Sequence, residues 1–215
     1  MKKKILIFSA GLAGREVFQL ISSINKLNNE WEIIGYVDNN QKKIGKMVDG
    51  VQIYSNKNRP NNKEIYATCG IMDCAIRKKI FEEEIIKSNF RVANLIHPLI
   101  EKPKCLKIGQ GNIIFGNVHI SFEVNINNFS LISNFCDLGH NLIAGNYITI
   151  MPTVTIGGNC NIGELTLVGS GANIYQGAKI GKNCKIGMGS LITNDLKNNS
   201  LVVDQPRKIT RNIEQ

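Results

Sequence analysis

The chain has 215 residues, 43% hydrophobic and 20% charged, which suffices for one large or two small packed domains and excludes a disordered chain. The start, MKKKILIFSAG, is basic, but its apolar run is only ILIF, so a buried first strand is expected there and neither a signal peptide nor a membrane span. The net charge of +9 is uneven, with 19 Lys and Arg against 11 Asp and Glu over residues 1–107 and 7 against 6 after them. That is either a solvated face or an attraction for an anionic small molecule; no recognition helix, zinc finger or aromatic RNA-binding motif accompanies it to suggest nucleic acid.

In chain order, KILIF (4–8) reads as a buried strand. SAGLAGREVFQLISSI follows as a Gly-rich turn opening a helix, with Val17, Leu20, Ile21 and Ile24 on one face. EIIGYVD is a second strand ending at Asp38, EIYATCG a third ending at Gly70, and CAIRKKIFEEEIIKS a second helix. Alternating strands and helices imply a parallel sheet that binds ligands at the carboxyl ends of its strands. The turn fits a dinucleotide fingerprint in part: Ser9 replaces the first Gly, while Gly11 and Gly14 stand where close backbone approach and helix packing need them. Asp38 follows at the end of the next strand, where a carboxylate can meet a ribose or a base.

From Ile108 the chain keeps a six-residue clock. Positions 108, 114, 120 and so on to 192 are aliphatic in all fifteen cases, which chance allows on the order of 10⁻⁶ per phase. Two residues before each stand small or apolar side chains, among them Val124, Ser130, Cys136, Cys160, Ala172 and Cys184. Just after comes Gly in eight cases (109, 139, 145, 157, 163, 169, 181 and 187), either to relieve crowding or to permit φ > 0. A short strand and a turn every six residues satisfy this pattern, and no 3.6 or 2.0 period does. The clock accounts for three of the six cysteines as inward filler; with no CxxC pair, free thiols are expected and a zinc site is not.

The same clock turns His140 outward on a corner, as either a solvated histidine or a base. Asn141 follows it, and Asp137 is a candidate to orient it, or simply a solvated turn carboxylate. The clock resembles the hexapeptide repeat of left-handed parallel β-helices, in which three hexads make one coil; His119, 18 residues before Asp137, would then stand one coil below it, so the two can stack. A carbonic anhydrase-like zinc centre needs three histidines, and the repeat holds only His119 and His140.

The order FSAGLAGREV, IIGYVDNN, TCG with IRKKI, LIHP, hexapeptide coils and a Pro-Arg-Lys tail resembles the sugar acyltransferases of the sialic acid O-acetyltransferase type. These include the enzymes that N-acetylate UDP-4-amino-sugars in bacillosamine synthesis. The resemblance spans nearly the whole chain and implies a Rossmann-like α/β domain (1–96), a junction (97–107) that holds His97, a left-handed parallel β-helix of about five coils (108–196) and a tail (197–215). It also implies a cytoplasmic homotrimer without metal or membrane insertion, with active sites between adjacent prisms and acetyl-CoA as co-substrate. The first domain would bind a nucleotide sugar through Gly11, Leu12, Gly14, Asp38, Asn39, Gly70 and Arg77. His140 would be the catalytic base in a direct transfer, with Asn141 where the family has a carboxylate, and the Gly158 N–H would face the acetyl carbonyl. Coenzyme A would run past Ser133, Thr149, Gly158, Ser170 and Met188. Other departures are Ala13 and Asn39 in the first domain, Thr149 for a second His, and Asp204 and Arg207 in the tail. The implied function is N-acetylation of a nucleotide-linked amino sugar for surface glycan synthesis; sugar O-acetylation and a non-catalytic nucleotide-sugar-binding scaffold are the alternatives.

Overall fold

A computed structural model describes residues 2–203; the tail positions Asp204 and Arg207 lie outside the described residues. Lys3–Phe8 (β1) forms the middle of a six-stranded sheet and is fully buried from Ile5 to Ile7. It pairs in parallel with Trp31–Val37 (β2) and Tyr66–Cys69 (β5). Leu12–Asn28 (α1) covers the sheet with Val17, Leu20, Ile21 and Ile24, as the spacing predicts. The sequence reading misses three strands of this sheet: Arg91–Val92 (β6), parallel to β5 at one edge, and Met47–Val48 (β3) and Val51–Tyr54 (β4), which form an antiparallel hairpin at the other. Its turn, Asp49-Gly50, has φ of 50° and 79°, and Asp-Gly is the pair that favours two left-handed residues in a tight hairpin. The second helix is regular only over Cys74–Ile80 (α2), capped by Asp73 accepting from the Ile76 N–H at 2.9 Å; Phe81–Ile86 widens into a π turn.

Fifteen two-residue strands from Lys107–Ile108 to Leu191–Ile192 stack with an 18-residue register into three parallel faces. The first face starts at Lys107–Ile108, the second at Leu95–Ile96 and the third at His119–Ile120. The second face is seven strands deep because Leu95–Ile96 and Leu201–Val202 extend it at either end, so the stack is longer than the five coils counted from the hexads. Inside lies a single apolar column: every clock position from Ile114 to Ile192 is buried, as are Cys136, Cys160 and Cys184. Each fully buried Ile contributes roughly 2–3 kcal/mol. Burial pushes the Cys136 thiol up to about 11.

The structure decides between the two roles of the recurrent Gly. The left-handed residue is the third after each aliphatic position from Ile108 to Ile186, as at Asn141 (φ 57°) and Asn159 (φ 60°), and the Gly beside the aliphatic residue is not in that region. That Gly is required because a Cβ on Gly139 would lie 2.6 Å from the Gly157 carbonyl carbon and the Gly158 nitrogen of the next coil. Crowding between coils, and not turn geometry, selects it.

The first domain packs on the second face, burying its outward residues Ile113, Leu131 and Thr149. Phe81 contacts Phe129 and Tyr147 at the corner between the first and second faces. Arg77, 1% exposed, reaches through that interface. Its guanidinium donates to the carbonyls of Ile71, Met72, Phe129, Tyr147 and Ile148 and to Thr149 Oγ1, at 2.6–3.2 Å. Burial pulls the Arg77 pKa below its usual value, but a guanidinium stays charged, and six acceptors spread that charge.

Candidate active site

His140 lies on the corner between the third and first faces, opposite the face that the first domain covers. Its backbone is held from two coils: the Asn141 N–H donates to the Phe122 carbonyl at 2.9 Å and the Asn159 N–H to the His140 carbonyl at 2.7 Å. The imidazole rests directly on Gly158, 18 residues on, where any Cβ would collide with the ring. His140 Nδ1 is 2.9 Å from Asn141 Oδ1, and Asn141 Nδ2 donates to Glu123 Oε2 at 2.6 Å. Asn141 therefore contacts the ring through its amide oxygen, and a carboxylate stands behind it. Glu123 is exposed at the mouth of a cavity of about 460 Å³ lined also by Cys105, Lys107, Asn125, Asn141 and Ile143. Sequence reasoning passes over Glu123, although the coil register places it one turn below Asn141.

Asp137 does not orient His140. Its carboxylate is 2.7 Å from His119 Nδ1, one coil away on the third face, in an exposed pair that the 18-residue spacing anticipates. Ser133, Ser170 and Met188 belong to the corner between the second and third faces, so one protomer keeps them apart from His140. Ser170 and Met188 reach solvent there, Met188 being 77% exposed, whereas Ser133 is buried. Thr149 is fully buried, donating to the Met72 carbonyl at 2.6 Å and accepting from Arg77, so it is closed to a groove-bound ligand. Arg77 is likewise unavailable to a substrate, because the domain interface uses its donors. Periodicity could not show this, since one helix face looks alike whether it meets a ligand or another domain. His97 packs its ring near Gly116 at the domain junction.

The Gly-rich turn takes the predicted place at the carboxyl ends of β1, β2 and β5. Ser9 adopts φ 86°, a conformation that favours the Gly it replaces. Gly14 and Gly70 touch: a Cβ on Gly70 would lie 2.5 Å from Gly14 Cα, and one on Gly14 would collide with the Ser9 carbonyl oxygen, so neither position admits a side chain. Gly11 caps α1 without a side-chain partner, and Leu12 beside it is 81% exposed. Asp38 accepts from the N–H groups of Ala10 and Asn40, each at 2.9 Å, with Lys43 Nζ at 3.4 Å. Burial works to raise its pKa, but those two N–H groups and the ammonium hold it below the usual carboxylate value. Asp38 and Asn39 line a cavity of about 200 Å³ with Phe8, Ser9, Ile71 and Glu84.

Among the described residues, no group of three His, Cys, Asp or Glu is placed to hold a metal, and no helix is long and apolar enough to cross a membrane.

The PglD N-terminal domain family matches residues 4–83, and the bacterial transferase hexapeptide family (six repeats) matches residues 159–194. No curated protein matches the chain. Among solved structures, the acetyltransferase domain of PglB from Neisseria gonorrhoeae superposes with a TM-score of 0.84 at 22% identity, over 96% of this chain and 99% of that one. A mutant of perosamine N-acetyltransferase from Caulobacter crescentus, in complex with CoA and GDP-perosamine, gives 0.81 at 19%, over 97% of each chain. WeeI from Acinetobacter baumannii gives 0.74 at 19%, over 94% and 97%. Residues 4–83 are thus similar to PglD N-terminal domains and residues 159–194 to bacterial transferase hexapeptide repeats, and the chain shares the fold of these three structures.

Proposed function

We propose that the protein transfers an acetyl group from acetyl-CoA to the amine of a nucleotide-linked amino sugar, with His140 as general base. The observation that carries this is the His140 ring itself: its Nδ1 faces an acceptor oxygen at 2.9 Å, which leaves the Nε2 lone pair to take a proton. In the forward step the amine attacks the thioester carbonyl while Nε2 removes its proton. The tetrahedral intermediate then collapses, and the departing thiolate recovers a proton from the imidazolium. The Gly158 N–H, which meets no protein acceptor among the described residues, is suited to receive the developing oxyanion. Transfer is direct, because the thiols that could carry an acyl group are mostly buried and Cys69 is pushed up to about 12.

The nucleotide would sit at the Gly11–Gly14 turn with Asp38 and Asn39; the C. crescentus protein binds GDP-perosamine, a nucleotide-linked amino sugar. That cavity and His140 lie on different sides of one protomer, and so do Met188 and His140. A homotrimer, with a corner of one prism against a face of the next, would unite them. The test is a panel of UDP- and GDP-linked amino sugars incubated with acetyl-CoA, following free thiol. Release with an amino sugar and none with its hydroxyl analogue is the expected outcome. The reverse selectivity would make the enzyme an O-acetyltransferase, and nucleotide-sugar binding without release would make it a binding protein.

A further inference from the structure

We infer that Glu123 is a positioning residue that fixes the tautomer of His140 through Asn141, in place of the adjacent carboxylate that this sequence lacks. An amide has one end that donates and one that accepts, and an imidazole in its neutral form has the same two faces. Alone, Asn141 could meet His140 either way round, and would leave the basic nitrogen undecided. Glu123 removes the ambiguity. A carboxylate only accepts, so the contact at 2.6 Å requires the Asn141 NH₂ to point down toward it. Oδ1 then necessarily faces the ring, so Nδ1 carries the hydrogen across the 2.9 Å contact and Nε2 is bare. The three residues stay in line because Glu123 and Asn141 occupy equivalent corner positions one coil apart, both left-handed at φ 56° and 57°. Gly158 closes the ring from above, so it cannot swing away from the amide. The negative charge remains in the relay, displaced by one coil, where it favours the imidazolium formed when the base accepts a proton.

The consequence for catalysis rests on the acetyltransferase reading; the tautomer does not, and the experiment reads the tautomer directly. Full-length ¹⁵N-labelled protein is examined by histidine ring NMR in mildly alkaline solution, where neutral rings report which nitrogen bears hydrogen. The His140 signals are assigned by their loss in H140Q. Wild type is expected to show Nδ1–H with Nε2 bare. Glu123→Ala releases the amide and shifts the ring toward Nε2–H, the commoner form in water. Adding Asn141→Asp to that variant restores Nδ1–H, since the new carboxylate accepts from the ring without help. Unchanged His97 and His119 signals show that the prism is intact, as the exposure of Glu123 leads one to expect. With an acceptor identified by thiol release, E123A lowers kcat about tenfold to a hundredfold and leaves the KM for acetyl-CoA within about twofold, and N141D rescues it. A His140 spectrum in E123A identical to wild type, or no restoration by N141D, overturns the assignment. Failure of the acetyltransferase reading would instead appear as absent thiol release with the tautomer pattern intact.

Discussion

The corner where Arg77 enters and the corner that carries His140 are made by the same hexad, with the same inward aliphatic residue and the same left-handed third residue, yet they differ in what they leave unsatisfied. At the first, every polar group is consumed: six acceptors surround one guanidinium, and Phe129 and Tyr147 are closed over by Phe81. At the second, the backbone is equally fixed, but a ring nitrogen and a backbone N–H remain unspent at the surface. The repeat supplies rigidity to both. The docking of the first domain closes the corner at Phe129 and Tyr147 and leaves the corner that carries His140 open to solvent.

Replacing Arg77 by Ala should give the largest effect on stability. It strands five carbonyls in a dry interface, each costing roughly 1–3 kcal/mol before water or relaxation relieves it. A net loss on the order of 3–5 kcal/mol and a Tm lower by about 10 °C are expected by calorimetry. Arg77→Lys, with three donors on a point charge, should fall between. A small change in R77A would mean that the interface stands on its aromatic contacts alone.

The converse holds at the open corner, where substitutions should strike activity and spare the fold. Gly158→Ala places a methyl group against the imidazole and should lower kcat about a hundredfold, with Tm within a few degrees of wild type. Full activity in G158A would show that the observed ring position is not the one used. The smallest effect is expected at the other histidine. His119 and Asp137 make a shorter contact than His140 makes with Asn141, but the pair is exposed on a face and not held on a corner. H119Q should change stability by less than about 0.5 kcal/mol and transfer rate by less than about twofold. A larger loss would relocate the site to the third face.

Much of this was legible in the sequence for one reason: a six-residue period imposes the same environment on each repeat, so fifteen aliphatic positions and three cysteines could be placed inward without a structure. The outward direction of His140 and the stacking of His119 under Asp137 follow from the same arithmetic. Glu123 is within its reach, being 18 residues before Asn141, whereas Asp137, nearer in sequence, pairs with His119. The role of the recurrent Gly had two physical readings, and only the distance to the next coil could choose between them. Arg77 and Thr149 are illegible in principle, because four of the six acceptors of Arg77, and the partners Met72 and Arg77 of the Thr149 hydroxyl, come from the other domain. The hairpin is marked in the sequence only by its Asp49-Gly50 turn, its strands being too short to show alternation.

The central claim, that His140 is the base for acetyl transfer, is tested most directly by comparing H140A with wild type in the thiol-release assay, using the amino sugar that the panel identifies. The account predicts a fall in kcat of roughly a hundredfold to ten-thousandfold with coenzyme A binding retained and Tm unchanged. Thiol release by H140A at the wild-type rate would contradict it.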